Sequence, residues 1–403
     1  MIKTGREHLE SIRDGRIVYI GSEQVRDVTT HPAFRNAAQT VADVYDLKAS
    51  PEHRDAASFV AEDGQRYAAY YLQPRSRDDL RKRTGTHRLI ADATYGMWGR
   101  SIDHVSAFIT AMAMRPDIFA RKGEQYGRNI VDFYKRMRAE DAYATYAVLP
   151  PQAARDPGFY QRANLPSPTL SVVAEKDDGI VISGMKMLAT GGVFCNYVFI
   201  GNIMPLAASQ VKESVTCVVP IGAPGVSLWS RKPLEREAHS QFESPLTWKF
   251  DETDSMLMCD AVKVPWEHVF TMDDPDQSRA IYIETPAHSF GNHQSNVRYH
   301  SKLKFIVGLA SRITEATGAA QIPAVRETLG RLASLDAALD GMICGQIEKA
   351  EDWGDGYVGY NRRMVYAALN WCTEHYSPIV DEKKPPGSAV GSSQRYAILR
   401  REA

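Results

Sequence analysis

Leu170-Ser-Val-Val-Ala-Glu175, Lys176-Asp-Asp-Gly179 and Ile180-Val-Ile-Ser183 form the stretch on which the fold turns. The first segment alternates like a half-buried strand, the second is a turn, and the third is another β-branched run. Together they read as a β-hairpin. Working outward, Tyr197–Ile200, Val215–Val219, Val226–Trp229 and Ala261–Val264 add further short strands. Pro150-Pro151 cannot continue a helix, so the pattern before them must stop there. Short strands at this spacing predict a small all-β unit over residues 140–266.

On both sides the apolar period lengthens to three and four. Upstream, residues 1–60 mix a short helix with a turn-rich segment in which Arg16–Ile20 reads as a strand closed by Gly21-Ser22, and from Arg77 to Arg138 the pattern is helical. Leu80, Leu89, Ile90 and Ala93 make one apolar set, Val105, Phe108, Ile109 and Met112 a second, and Ile130, Phe133, Tyr134 and Met137 a third. Downstream, Leu303, Ile306, Val307, Ala310 and Ile313 repeat in the same way. So do Leu329, Leu332, Leu335 and Leu339, then Met364, Ala367, Ala368 and Trp371. The order is helical, β, helical, and the class is α+β, mainly α. Residues 1–139 are expected as a helical domain, 140–266 as the β domain and 267–382 as a helical bundle. The polar, breaker-rich residues 383–403 are expected to be a disordered or aberrant tail.

A chain of 403 residues is too long for one simple core. A net charge of −1, with no long basic run, gives no electrostatic case for nucleic acid or a membrane surface. No apolar run is long enough to span a bilayer, and Met-Ile-Lys-Thr-Gly-Arg-Glu is not a secretory signal, so a cytoplasmic protein is expected. Cys195, Cys217, Cys259, Cys344 and Cys372 form no CxxC and read as buried small hydrophobes. No GxGxxG, GxxxxGK, HExxH or GxSxG is present. Direct nicotinamide binding and a metal site are therefore not expected.

Three stretches carry chemistry. Ala93-Thr-Tyr-Gly-Met-Trp-Gly-Arg100-Ser-Ile-Asp-His104 offers aromatic faces at Tyr95 and Trp98, and glycines that admit a ligand at Gly96 and Gly99. It also supplies a planar cation, Arg100, with His104 four residues on, which on a continuing helix would share its face. Asp141 to Gln152 lies at the junction of helical and β patterns, a favoured place for a cofactor cleft. Gly184-Met-Lys-Met-Leu-Ala-Thr190 is a strand running into a loop that ends in a hydroxyl. Read singly, each residue is as well explained by a solvated face or a cap.

Read together they form an ordered set. The chain resembles the flavin-dependent 4-hydroxyphenylacetate 3-monooxygenase family, the oxygenase half of a two-component system. The marks run from Thr4-Gly-Arg-Glu-His-Leu-Glu through Asp27-Val-Thr-Thr-His-Pro and Gly99-Arg100-Ser. They continue with Gly179–Thr190, Lys302–Ala310 and His375-Tyr-Ser-Pro-Ile-Val-Asp-Glu382. The resemblance implies the acyl-CoA-dehydrogenase-like architecture, with the middle unit a small β-barrel. It implies a homotetramer, a dimer of dimers, that uses reduced FAD from a separate flavin reductase and O2 to hydroxylate a phenolic ring.

By the same resemblance Arg100, His104 and Tyr146 are catalytic and line the substrate, with Asn202 and Ile203 at its tail. Tyr146, Ala147, Val148, Gln152, Ala153, Ala154, Arg155 and Thr190 contact the flavin. Two positions depart from the pattern: the family usually has tyrosine where this chain has His104, and histidine where it has Tyr146. Alternative substrates are an indole, a pyrrole or a halophenol. The departing tail leaves open an inactive, shortened paralogue that only assembles. A related dehydratase, acting on 4-hydroxybutyryl-CoA, would need cluster-binding cysteines near Arg100, and none lies there.

Overall fold

The computed structural model describes residues 2–154, 156–234 and 240–381. Arg155, Glu382 and the tail 383–403 therefore lie outside the described residues.

The hairpin forms as expected. Ser171–Lys176 pairs with Gly179–Lys186, with Lys176 opposite Gly179 around Asp177-Asp178. It forms one edge of a six-stranded sheet. Inward from it lie Ser255–Pro265, Val226–Ser230, Ile17–Ile20 and finally Glu23–Val25. A second sheet of four strands runs Val269–Thr271, Thr216–Pro220, Tyr197–Ile200, Ala144–Ala147. Both sheets have free edges, so the expected closed barrel is corrected to two open sheets. The Ile17–Ile20 strand pairs in parallel with Val226–Ser230, which ties the first turn of the chain into the β layer.

The Ser255–Pro265 strand is longer than the Ala261–Val264 run that the sequence marks. Its register shifts between Cys259 and Val262, and Ala261 has φ 50°. That bulge breaks the two-residue period, and Met256, Met258 and Asp260 give the first half no β-branched signal.

The helical periods appear as Arg77–Ala93, His104–Met112 and Glu124–Glu140 before the sheets. After them come Ala287–Ala316, Pro323–Glu348 and Arg362–Asp381. One core joins the first helices to both sheets, while a second cluster holds the last three helices together through Val297, Leu303, Leu332, Leu339, Ile343 and Ala368. The Ala287–Ala316 helix serves both, packing on Arg77–Ala93 and on His104–Met112. Cys195, Cys217, Cys259 and Cys372 are buried as expected, but Cys344 is exposed, on the outer face of a three-helix cluster. No described helix is long and apolar enough to cross a membrane.

One charge pair fixes the junction of helices and sheets. The Glu124–Glu140 helix ends in Asp141, which takes the left-handed conformation at φ 46°. Its carboxylate accepts from Lys48 Nζ at 2.5 Å, from the Tyr70 hydroxyl at 2.6 Å and from the Lys3 backbone N–H at 3.0 Å. Lys48 and Asp141 are both fully shielded from solvent. Removing one partner would strand a buried charge, at a cost of about 3–5 kcal/mol. Asp141→Asn and Lys48→Met should each lower the unfolding free energy by that amount, measured by urea unfolding. Lys48→Met with Asp141→Leu, which removes both charges, should cost less than either single change. A double variant no more stable than the worse single one would show that the pair is not the anchor.

Candidate active site

Arg100 does not ride on the helix of His104. That helix begins only at His104, and Arg100 lies in the turn before it. The turn is gripped from two sides instead. The Arg100 backbone N–H donates to Glu252 Oε2 at 2.7 Å, and the Tyr143 hydroxyl donates to the Arg100 carbonyl. A β-carbon on Gly99 would meet Glu252 Oε1 at 2.8 Å, and one on Gly96 would meet the Arg298 carbonyl at 2.3 Å. These glycines admit a carboxylate and the long helix, not a ligand as the sequence suggested. The two aromatic faces are also engaged. Trp98 is buried, donating to the Tyr143 hydroxyl at 3.2 Å, and Tyr95 packs on Phe250 and Phe305.

The guanidinium of Arg100 instead faces Tyr146, with its carbon 5.5 Å from the ring centroid. Tyr146 also meets His104 at 5.7 Å and Phe108 at 5.9 Å between centroids. The structure thus gathers Arg100, His104 and Tyr146 around one point, although they come from a turn, a helix start and a sheet-edge strand.

His104 has a defined proton arrangement. Asp103 can only accept, so the 3.1 Å contact from Gln294 Nε2 to Asp103 Oδ1 fixes the Gln294 amide. Its carbonyl oxygen then faces His104 Nδ1 at 2.9 Å, and that nitrogen must donate. His87 Nδ1 completes the chain on Asp103 Oδ2 at 2.6 Å. His104 Nε2 keeps its lone pair, and it is buried without a hydrogen-bond partner. Burial first, and the Arg100 charge second, hold the imidazole well below its ordinary pKa, so it is neutral at pH 7.

The segments expected at the flavin also come together. Leu149 and Met187 form an antiparallel bridge, and the Thr145 hydroxyl donates to the Thr190 carbonyl at 2.7 Å. Thr190's own hydroxyl donates to Asp254. The Ala147 and Val148 carbonyls accept from the N–H groups of Gly201 and Ile203 at 3.3 and 3.4 Å. Gln152 is exposed at the start of the short Gln152–Ala154 turn, where Ala154 is buried; Arg155 beyond it is outside the described residues.

Asn202 is placed otherwise. Its side chain is buried and fully engaged, accepting from Lys186 Nζ and donating to the Glu213 and Val215 carbonyls. Ile203 is half-buried against the main core. Among the described residues no three His, Cys, Asp or Glu side chains group to hold a metal ion.

Family models described as 4-hydroxyphenylacetate 3-hydroxylase N terminal and C terminal match residues 4–271 and 278–382. The chain belongs to this family. Its members include the 4-nitrophenol 2-monooxygenase oxygenase component of a Rhodococcus species, 32% identical over 363 residues, 89% of this chain and 68% of that one. The 4-hydroxyphenylacetate 3-monooxygenase oxygenase component of Escherichia coli is 31% identical over 368 residues, with 88% and 68% covered. A crystal structure of such an oxygenase component, complexed with FAD and 4-hydroxyphenylacetate, superposes with a TM-score of 0.87 at 28% identity, covering 98% of this chain and 82% of that one. An archaeal 4-hydroxybutyryl-CoA dehydratase from N. maritimus shares the fold, with a TM-score of 0.79 at 17% identity over 99% of this chain and 85% of that one. An acyl-CoA dehydrogenase from Geobacillus kaustophilus has the same kind of fold more distantly, with a TM-score of 0.50 at 14% identity over 78% of this chain and 75% of that one.

Within this 4-hydroxyphenylacetate 3-hydroxylase family member, sequence reasoning missed Gln294, which bonds His104, and Glu252, which holds the Arg100 turn. Gln294 is a single position on a long helix far from Arg100 in sequence, and Glu252 stands in a connecting loop. Neither belongs to a local motif.

His8, His87, His104 and His293 are all buried, and burial lowers the pKa of each below 6.5. The unfolded chain therefore takes up protons first as the pH falls. Their contribution to stability is complete above about 6.5 and is lost below it. The melting temperature should be level between about pH 7 and 8 and should drop on going toward pH 5. A level melting temperature down to pH 5 would contradict the buried neutral imidazoles.

Proposed function

We propose that this chain is the oxygenase component of a two-component flavin monooxygenase that hydroxylates a phenolic ring with reduced FAD and O2. One observation carries the reading: His104 Nε2 is a buried acceptor with no partner, and its ring lies 5.7 Å from Tyr146, over which the Arg100 guanidinium also stands. A buried lone pair left open costs free energy unless a ligand donates to it. A phenol hydroxyl supplies that donor, and Arg100 supplies the charge that favours its anion.

The residues also fit a flavin. Leu188 is exposed although apolar and stands at φ 64°, a strained position for a leucine, next in sequence to Met187, which bridges Leu149 and accepts from the Gln152 N–H at 3.1 Å; Gln152 is exposed and Tyr146 half-buried. An aromatic, an apolar and an amide group suit a flat, partly polar ring system. Tyr146, Ala147, Val148, Gln152, Ala153, Ala154 and Thr190 would hold it, with Arg155 adjoining in sequence. Bound reduced FAD supplies two electrons, so that one oxygen atom of O2 enters the ring and the other leaves as water.

The chain's own residues do the rest. Gln294 and Asp103 hold the His104 tautomer, so the imidazole receives the phenol's proton at Nε2. The low basicity of His104 describes the pocket without an anion. A phenolate between it and Arg100 raises that basicity and stabilises the resulting imidazolium. Phe108 and Tyr146 keep water from the ring. Ile203, tied by its N–H to the Val148 carbonyl, would stand toward the substrate's tail, whereas the engaged Asn202 would act by supporting the wall.

We place the division into residues 1–139, 140–266 and 267–382, the tetramer built as a dimer of dimers, and the cytoplasm in the same proposal. The exposed apolar Leu309, Tyr376 and Val380 on two of the last three helices, with Ile322 at the link before Pro323–Glu348, support assembly through this bundle. A separate reductase supplies the reduced flavin.

The test is incubation with reduced FAD, O2 and a panel of phenols, followed by mass analysis for a gain of one oxygen atom. Indoles and pyrroles in the same panel test the other rings. His104→Phe should slow hydroxylation by roughly 10²–10⁴-fold, the usual range for losing a general base. Arg100→Lys keeps the charge but loses the planar fork, and should lower product per NADH while hydrogen peroxide rises. NADH oxidation by the purified chain without a reductase would overturn the two-component reading.

A further inference from the structure

Asp103 stands at the N-cap of the His104–Met112 helix, where an aspartate commonly accepts from the N–H groups of its own helix. Here its side chain makes no such bond. The carboxylate is fully shielded from solvent and is held by two outside donors instead, Gln294 Nε2 at 3.1 Å and His87 Nδ1 at 2.6 Å.

His87 comes from the Arg77–Ala93 helix, which also buries Arg83 and Thr84 where it packs on the Ala287–Ala316 helix. Arg83 spends its guanidinium on the Tyr70 and Leu72 carbonyls and makes no ion pair among the described residues. Its charge acts on both His87 and Asp103. A buried cation and two N–H donors all favour the ionised carboxylate. Burial, the first cause, holds the His87 pKa below its ordinary value, so His87 is neutral at pH 7 and carries one hydrogen. No other group takes that hydrogen. His87 Nε2 is buried without a hydrogen-bond partner, and the neighbouring His293, 6.3 Å away between centroids, uses both its nitrogens on Thr84 and Gln346. The hydrogen therefore sits on Nδ1, facing Asp103.

Each bond then dictates the next. His87 donates to Asp103, so Asp103 stays an acceptor. Asp103 draws the Gln294 amide N–H, which turns the amide oxygen toward His104. That oxygen takes the His104 Nδ1–H and leaves Nε2 open.

We infer that His87 is a positioning residue, remote from the substrate, whose Nδ1–H sets through Asp103 and Gln294 which nitrogen of His104 is offered to the phenol. The inference rests on the phenol reading of His104 and carries it to a residue on another helix. His87 gains and loses no proton in the reaction. The phenol's proton ends on His104 Nε2, and the Asp103 charge, one amide away, offsets the imidazolium that forms.

The experiment reads the ring nitrogens directly, by nitrogen NMR of the full chain with isotope-labelled histidine, without flavin or substrate. Nitrogens that bear hydrogen and nitrogens that carry a lone pair give well-separated signals, and His104→Phe identifies those of His104. In the wild type His87 and His104 should both be neutral with hydrogen on Nδ1, the form that imidazole in water disfavours. His87→Leu removes the donor, so His104 should lose its preference for that form. Hydroxylation of a phenol that the wild type turns over should then fall about tenfold, the worth of one hydrogen bond. His87→Asn places an amide N–H near the lost Nδ1 and should restore both the tautomer and most of the rate.

Hydrogen on His104 Nε2 in the wild type would overturn the inference. So would an unchanged Nδ1 form in His87→Leu, or a His87→Asn variant no better than His87→Leu in both readouts, which would mark His87 as packing alone. Where His87→Leu does not fold, His87→Asn decides: a folded variant whose His104 moves its hydrogen to Nε2 would overturn the inference. The spectra need no substrate, so a wild type with the expected tautomers that hydroxylates no phenol would overturn the phenol reading and leave the His87 relay standing.

Discussion

The pairing of Lys48 with Asp141, both out of contact with water, is the constraint on which the arrangement rests. A buried ion pair seldom adds much net stability over an apolar pair, but it is costly to separate, so it holds geometry. Here the geometry is the point where the Glu124–Glu140 helix gives way to the Ala144–Ala147 strand. The Tyr45 and Tyr71 hydroxyls add bonds to the carbonyls of Asp141 and Ala142, so three segments of the first seventy-one residues converge on two residues. With Asp141 fixed, the strand that carries Tyr146 has one position, and there Tyr146 meets His104, Phe108 and the Arg100 guanidinium.

The opposite wall depends on the Ala287–Ala316 helix. Through Gln294 it sets the His104 tautomer, and through Arg298 it bonds the Gly96 carbonyl at 2.8 Å and seats the turn of Arg100. The proposed site therefore lies where a helix from the last third of the chain meets a turn from the first third and a strand from the middle. The exchanged positions make sense in this frame. An imidazole at residue 104 has a partner for its N–H in Gln294, which leaves its other nitrogen as an acceptor. A tyrosine at residue 146 is packed between Phe108 and the Arg100 guanidinium, where it serves as a wall.

Much of the fold was legible in the sequence, for local reasons. The hairpin announced itself by a turn between two β-branched runs, and the helices by sustained three-and-four spacing. What was not legible was non-local. Whether the strands closed into a barrel depended on Ile17–Ile20 pairing with Val226–Ser230, from opposite halves of the chain, and nothing in either segment encodes it. The bulge at Ala261 hid half a strand. That Arg100, His104 and Tyr146 would meet was legible only through the ordered resemblance, since they come from a turn, a helix start and a strand. Gln294 was not legible, because a polar group on an otherwise ordinary helix shows its partner only in space. Likewise only the structure shows Lys186 and two carbonyls already holding the Asn202 amide.

The central claim is that Arg100 and a tautomer-locked His104 bind a phenol so as to favour its anion. The most direct test is the visible absorption spectrum of 4-nitrophenol bound to the flavin-free chain, at a pH where the free ligand is mostly protonated. The account predicts the phenolate band in the bound state, and its loss in Gln294→Leu, which frees the His104 tautomer without touching the ligand. A bound spectrum that remains that of the neutral phenol would contradict it.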